Sequence, residues 1–169
     1  SWRPDSSLIY NRGMTTALIY DPSFLEHKTG HHPENSQRLK VILNALESDA
    51  SLWMKLCHIT PQAASDEDIA RCHGNQLIDH LRTLCERGVP FVDLDTVICR
   101  ESYGVARLAA GAALAAVDHV FADNVEGRSA FALVRPPGHH ATPNRAMGFC
   151  LLNNAAIAAR YAQARYDVQ

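Results

Sequence analysis

Three short apolar runs, each separated from the next by stretches of helical periodicity, constrain this chain more than any other feature. "TTALIYD" (residues 15–21) is β-branched and aromatic-rich and ends at Pro22, which suits a buried strand. "LCHITP" (56–61) fits a second strand and "SAFALV" (129–134) a third, continuous apolar one. Between them, Asn35 or Ser36 can cap a helix whose Leu39, Ile42, Leu43 and Leu46 fall at i, i+3, i+4 and i+7. Ser65 starts a short helix near 66–72, and Leu77, Ile78, Leu81, Leu84 and Cys85 repeat helically up to Gly88. Residues 102–122 are Ala-rich, with Val105, Ala109, Ala112, Ala116 and Val120 on one face, and "LLNNAAIAARYAQARY" reads as a last helix. Parallel strands need long crossovers, and helices supply them here. The expectation is therefore an α/β fold, three layers α/β/α around a mainly parallel sheet. The alternation stops at "YDVQ", where another strand is due, so the fold is expected to be incomplete.

The 169 residues fit one domain, and 47% apolar residues is enough for a substantial core. With 16 basic and 18 acidic residues scattered along the chain, no basic stripe stands ready to neutralise phosphates, so direct nucleic-acid binding is not expected. The longest apolar stretch, "LAAGAALAAV", reads as too short and too flanked by charge to span a bilayer, so no membrane association is expected. "SWRPDSSLIYNRG" lacks the features of a secretory signal. Residues 1–13 are read as an extension or vector-derived segment, and 14–169 as the folded part. Five cysteines, odd in number and never in a C-x-x-C arrangement, suit a reduced, cytoplasmic setting without a zinc-ribbon framework.

In parallel α/β sheets, sites form outside the carboxyl ends of the strands. His139 and His140 follow such an end, on a backbone stiffened by Pro136, Pro137 and Gly138. Two imidazoles held there suit acid–base work: one takes a proton from water, and the other stabilises charge or protonates a leaving amine. Neighbours in an extended segment point to opposite sides, so both face one site only if the loop turns. The residues alone leave a second reading open, in which the pair packs and hydrogen-bonds in a loop. Nine histidines in 169 residues yield about half an adjacent pair by chance, so the doublet itself carries little weight. Nor do two histidines make a zinc site, which takes three or four ligands. The other pair, His31-His32, precedes a helix without an acid partner nearby in sequence and reads as loop-stabilising.

"RPPGHHATPNRAMGFCLLNNAAIAARYA" resembles the His-His segment of the zinc-dependent histone deacetylase family, closer to its class II and bacterial deacetylase-like amidohydrolase branch. "HKTGHHPENSQRL" is similar to the family's early loop and helix start, and "DLDTVICRESYGVARLAAGAALAAVD" to its acidic loop and long helix, in the family's order. The resemblance implies the N-terminal half of an arginase-deacetylase fold. It makes His140 the general base on a zinc-bound water and His139 the group that stabilises charge and helps protonate the departing lysine amine. Phe149 becomes a wall of the acetyl-lysine tunnel with Gly148 beside it, Asp95 the rim aspartate that holds the substrate backbone, and Arg38 the arginine of an internal cavity. An aromatic wall suits a methylene chain, and a carboxylate suits backbone N–H donors. Read without the family, Asp95 also suits a turn, Phe149 a core aromatic and Arg38 a helix surface.

The family's zinc ligands, an Asp-x-His pair and a second aspartate, have no matching segment in this chain, nor do its histidine-orienting carboxylates and its tyrosine. The implied reading is the N-terminal portion of a zinc-dependent hydrolase that removes acetyl groups from acetyl-lysine or a related acetamide. Zinc belongs to the complete domain; no metal ligand is assigned here, and the isolated chain is expected to be inactive. The alternative is a non-catalytic binding or self-assembly module, with a second copy or a complementary chain as partner.

Overall fold

In the computed structural model the described residues are 16–122 and 128–169, so the 1–13 segment lies outside them. Strands β1 (Thr16–Ile19), β2 (Leu56–Ile59) and β3 (Ser129–Ala132) form one parallel sheet in the order β2-β1-β3. Thr16 is level with Leu56 on one side and with Ser129 on the other. The central strand must bury both its faces, and Ala17, Leu18 and Ile19 are at most 1% exposed. That is why its sequence is a continuous apolar run rather than an alternation. β3, at the edge among the described strands, does alternate, and its Phe131 is 47% exposed.

The helices fall where the periodicity places them. α1 (Gln37–Ser48) and α2 (Ala50–Trp53) connect β1 to β2, while α3 (Asp66–Ala70), α4 (Asn75–Arg87) and α5 (Ser102–Phe121) connect β2 to β3; α6 (Asn154–Tyr166) follows the sheet. On α1 the contact stripe is narrower than the sequence suggests: Leu39 is buried and Leu43 and Leu46 partly so, but Ile42 is exposed. α6 begins later than its apolar run. Leu151 and Leu152 are buried in the approach, and Asn153 caps the helix by accepting from the Ala156 amide at 3.0 Å.

α5 is the spine of the molecule. Val105, Ala109 and Ala112 pack with the sheet, Leu39 and Leu133, as the expected face should, although Val120 at its end is exposed. The other face is buried too, where Tyr103, Ala106, Ala110 and Leu114 meet Ile69, Leu77, Leu81, Leu151 and Ile157. A helix covered on both sides at close range needs small residues, which accounts for the alanines. Gly111 carries this to its limit, because a Cβ there would overlap the Gln62 carbonyl oxygen. The strand-to-helix segment 62–64 lies directly on the helix, with the Ala64 amide donating to the Arg107 carbonyl at 2.9 Å. By length and composition alone α5 could cross a membrane, contrary to the estimate from its alanine run; here its apolar faces are taken up by the two core clusters.

Candidate active site

The path from β3 to the histidine pair passes through a buried charge. Arg135 is fully buried, and its guanidinium donates to both Glu34 oxygens, Nε to Oε1 at 2.6 Å and Nη2 to Oε2 at 2.9 Å. Nη1 donates to the Phe24 carbonyl at 3.2 Å and Nη2 to Thr29 Oγ1 at 3.4 Å, so the fork is satisfied on every side. Glu34, 3% exposed, also lies 3.6 Å from His27 Nε2 and from Arg38 Nη1. His27 bonds Ser102 Oγ through Nδ1 at 2.7 Å. Burial lowers the His27 pKa to about 4 against the opposing pull of Glu34, and Arg135 adds to the lowering. Ser102, His27 and Glu34 are ordered like a nucleophile relay, but Ser102 is fully buried and no substrate reaches it. The network is structural: it ties the loop before α1 to the corner after β3.

Beyond Arg135 the chain turns outward. The Ala141 amide donates to the Gly138 carbonyl at 3.1 Å, closing a turn that brings the rings of His139 and His140 to one side, with centroids 4.2 Å apart and planes tilted by 49°. This is the turn required for adjacent histidines to share a site. Both are exposed, and among the described residues no carboxylate accepts a hydrogen bond from either ring.

The Gly148–Phe149 turn is pressed against this pair. Gly148 has φ +58°, and a Cβ there would come within 2.9 Å of the His140 ring, so glycine is required both by the backbone and by the neighbour. Phe149 has φ +69°, a conformation that a bulky residue adopts only when its surroundings hold it there. Its amide donates to Thr96 Oγ1 at 3.2 Å, and its ring meets the edge of His32 at 4.5 Å. Thr96, fully buried, donates in turn to Asp95 Oδ1 at 3.2 Å. Asp93 Oδ1 accepts from the amides of Asp95 and Thr96 at 3.3 and 2.9 Å, which shapes the loop and leaves Asp95 exposed.

His139, His140, Gly148, Phe149 and Asp95 thus form one chain of contacts. Arg38 stands apart from these, on the first turn of α1, with its side chain 57% exposed and its Nη1 3.6 Å from Glu34 Oε1. His32 has the loop-stabilising part expected of its pair, through bonds to the Glu34 and Asp95 backbones. Two further residues escape sequence reasoning. Arg135 is one, although a lone arginine between an apolar run and Pro-Pro was a signal. His73 is the other: its Nδ1 donates to the Thr142 carbonyl at 3.0 Å, and its Nε2 accepts from the Asn153 amide at 2.9 Å. Burial lowers its pKa, although the backbone bonds to Thr142 and Pro143 oppose this, so a neutral ring fastens the segment after the histidine pair to the start of α6. Nothing in "RCHG" marks that role.

Residues 32–169 match the family model described as the histone deacetylase domain. The chain is 38% identical over 151 residues to a probable deacetylase of Methanothermobacter thermautotrophicus, covering 89% of this chain and 44% of the relative. It is 35% identical over 175 residues to a histone deacetylase-like amidohydrolase of Pseudomonas aeruginosa, covering 91% and 44%. Among solved structures, the HDA15 HD domain superposes with a TM-score of 0.82 at 34% identity, over 90% of this chain and 44% of that one. The chain spans about half the length of the curated relatives it matches.

Proposed function

Because this chain belongs to the histone deacetylase family and has a partial α/β deacetylase fold, we propose that it carries the acid–base and substrate-wall half of a hydrolase site that acts on acetyl-lysine or a related acetamide. The carrying observation is the convergence of two exposed histidine rings, 4.2 Å apart, with the strained Gly148–Phe149 turn. In the proposed reaction water attacks the acetamide carbonyl as His140 takes its proton. The C–N bond then breaks, with His139 supplying the proton that makes the amine a leaving group, and acetate and a free amine result. Phe149 lies along the methylene chain, and Asp95 accepts from the backbone amides of a peptide substrate. Arg38 faces an internal cavity only once further chain covers it.

Zinc is suggested for full-length family members, but no group of three His, Cys, Asp or Glu side chains among the described residues could hold a metal ion. These residues by themselves do not fit zinc. In this reading the metal ligands and the carboxylates that orient the histidines lie on further chain, since the archaeal and bacterial relatives and the HDA15 domain are each more than twice as long as the share matched. The half-site alone is inactive in this reading. A reducing, cytoplasmic setting belongs to the same proposal and rests on five unpaired cysteines.

The test is turnover by the full-length protein of acetylated lysine peptides and of acetylated polyamines, assayed side by side. Release of acetate from the peptides is expected; release from neither class would remove the enzymatic reading. One observation favours the alternative, a self-assembly module: β3 offers an unpaired edge among the described strands, with Phe131 half out in solvent. Sedimentation of residues 14–169 decides this, a dimer supporting association through that edge and a monomer opposing it.

A further inference from the structure

His32 belongs to neither the histidine pair nor the buried ion network, yet it touches both the Asp95 loop and the Phe149 turn. Its Nδ1 lies 3.1 Å from both the amide and the carbonyl oxygen of Glu34; in the tautomer that accepts from the amide, Nε2 carries the hydrogen. That hydrogen points to the Asp95 carbonyl, 3.1 Å away and 63 positions on in sequence. The ring edge meets Phe149 at 4.5 Å with planes at 83°, the edge-on arrangement aromatic rings prefer. Thr96 holds the same two segments from beneath, accepting from the Phe149 amide and donating to the Asp95 carboxylate. A phenylalanine at φ +69° needs restraint on both ring and backbone, and these two residues supply one each.

We propose that His32 and Thr96 are positioning residues that clasp the Asp95 loop to the Phe149 turn, setting the spacing between rim carboxylate and aromatic wall and hence the affinity for the substrate chain. This rests on the reading of Asp95 and Phe149 as substrate-binding residues. Neither clasp residue reaches the reacting atoms. Losing one therefore weakens substrate binding while leaving the proton transfers of His139 and His140 in place.

The test uses the full-length protein and two independent readouts. Hydrogen exchange at the Phe149 amide should speed up about fivefold or more in Thr96→Val and in His32→Ala, and return close to the unsubstituted rate in Thr96→Ser, which keeps the hydroxyl. With an acetyl-lysine peptide, KM should rise about fivefold in both loss variants while kcat stays within about twofold. Unchanged exchange and unchanged KM in His32→Ala and Thr96→Val would overturn the clasp, and so would a fall in kcat at constant KM. If the unsubstituted protein turns over no acetyl-lysine peptide, the substrate reading fails on its own, and the exchange rates still decide whether the clasp exists.

Discussion

Arg135 and His139 stand four residues apart on one corner and meet opposite physical situations. Arg135 faces inward, fully buried, with a bidentate carboxylate, a carbonyl and a hydroxyl around its guanidinium. His139 and His140 face outward, with a neighbouring ring and no carboxylate among the described residues. A buried charge is tolerated only when fully compensated, whereas an exposed imidazole can wait for its partners. The inner end therefore makes the fold, and the outer end carries the pair to which the proposed function gives the acid–base work.

The largest effect expected from that contrast lies at the inner end. Glu34→Gln leaves Arg135 buried without its counter-charge and should cost about 3–5 kcal/mol in urea unfolding. A loss below about 1 kcal/mol would mean that water reaches the guanidinium. pH probes the same region. His27 is neutral in the fold with a pKa of about 4, so its contribution is fully present above the unfolded value near 6.5 and is lost as pH falls toward 4. The shift corresponds to about 3 kcal/mol of unfolding free energy across that window. His27→Gln should flatten the pH dependence there, and a variant with the original slope would locate it in another group.

At the junction of the two ends, Gly148→Ala combines a positive φ with a Cβ against the His140 ring, and should cost about 1–2 kcal/mol while shifting the imidazole signals of His140 in NMR. Unmoved signals would show that the turn and the histidine are independent. The smallest change belongs to the outer end, where His139→Ala should alter stability by no more than about 0.5 kcal/mol. A larger loss would turn the outer end into part of the fold's support.

The same contrast explains what was legible beforehand. Strands and helices depend on local periodicity, and all three strands and the longer helices lie where the apolar residues recur. The strand-end placement of His139 and His140 was legible too, because Pro136, Pro137 and Gly138 mark the corner in the sequence. The second buried face of α5 was not: alanine does not say how many neighbours it has, and the Gly111 contact comes from residue 62. The roles of Arg135, His73 and His32 leave little mark in the sequence, because their partners lie 101, 69 and 63 positions away, and pairing over such distances leaves no periodic trace. Membership of the deacetylase family was legible because three motifs recur in order, not because any one of them is distinctive.

The most direct test of the central claim is acetate release from an acetyl-lysine peptide by the full-length protein, with and without His140→Ala. Measurable turnover that falls by about a hundredfold or more in the variant, with unfolding free energy unchanged, is the predicted result. Turnover that survives the substitution would contradict the claim that this exposed pair is the acid–base half of a deacetylase site.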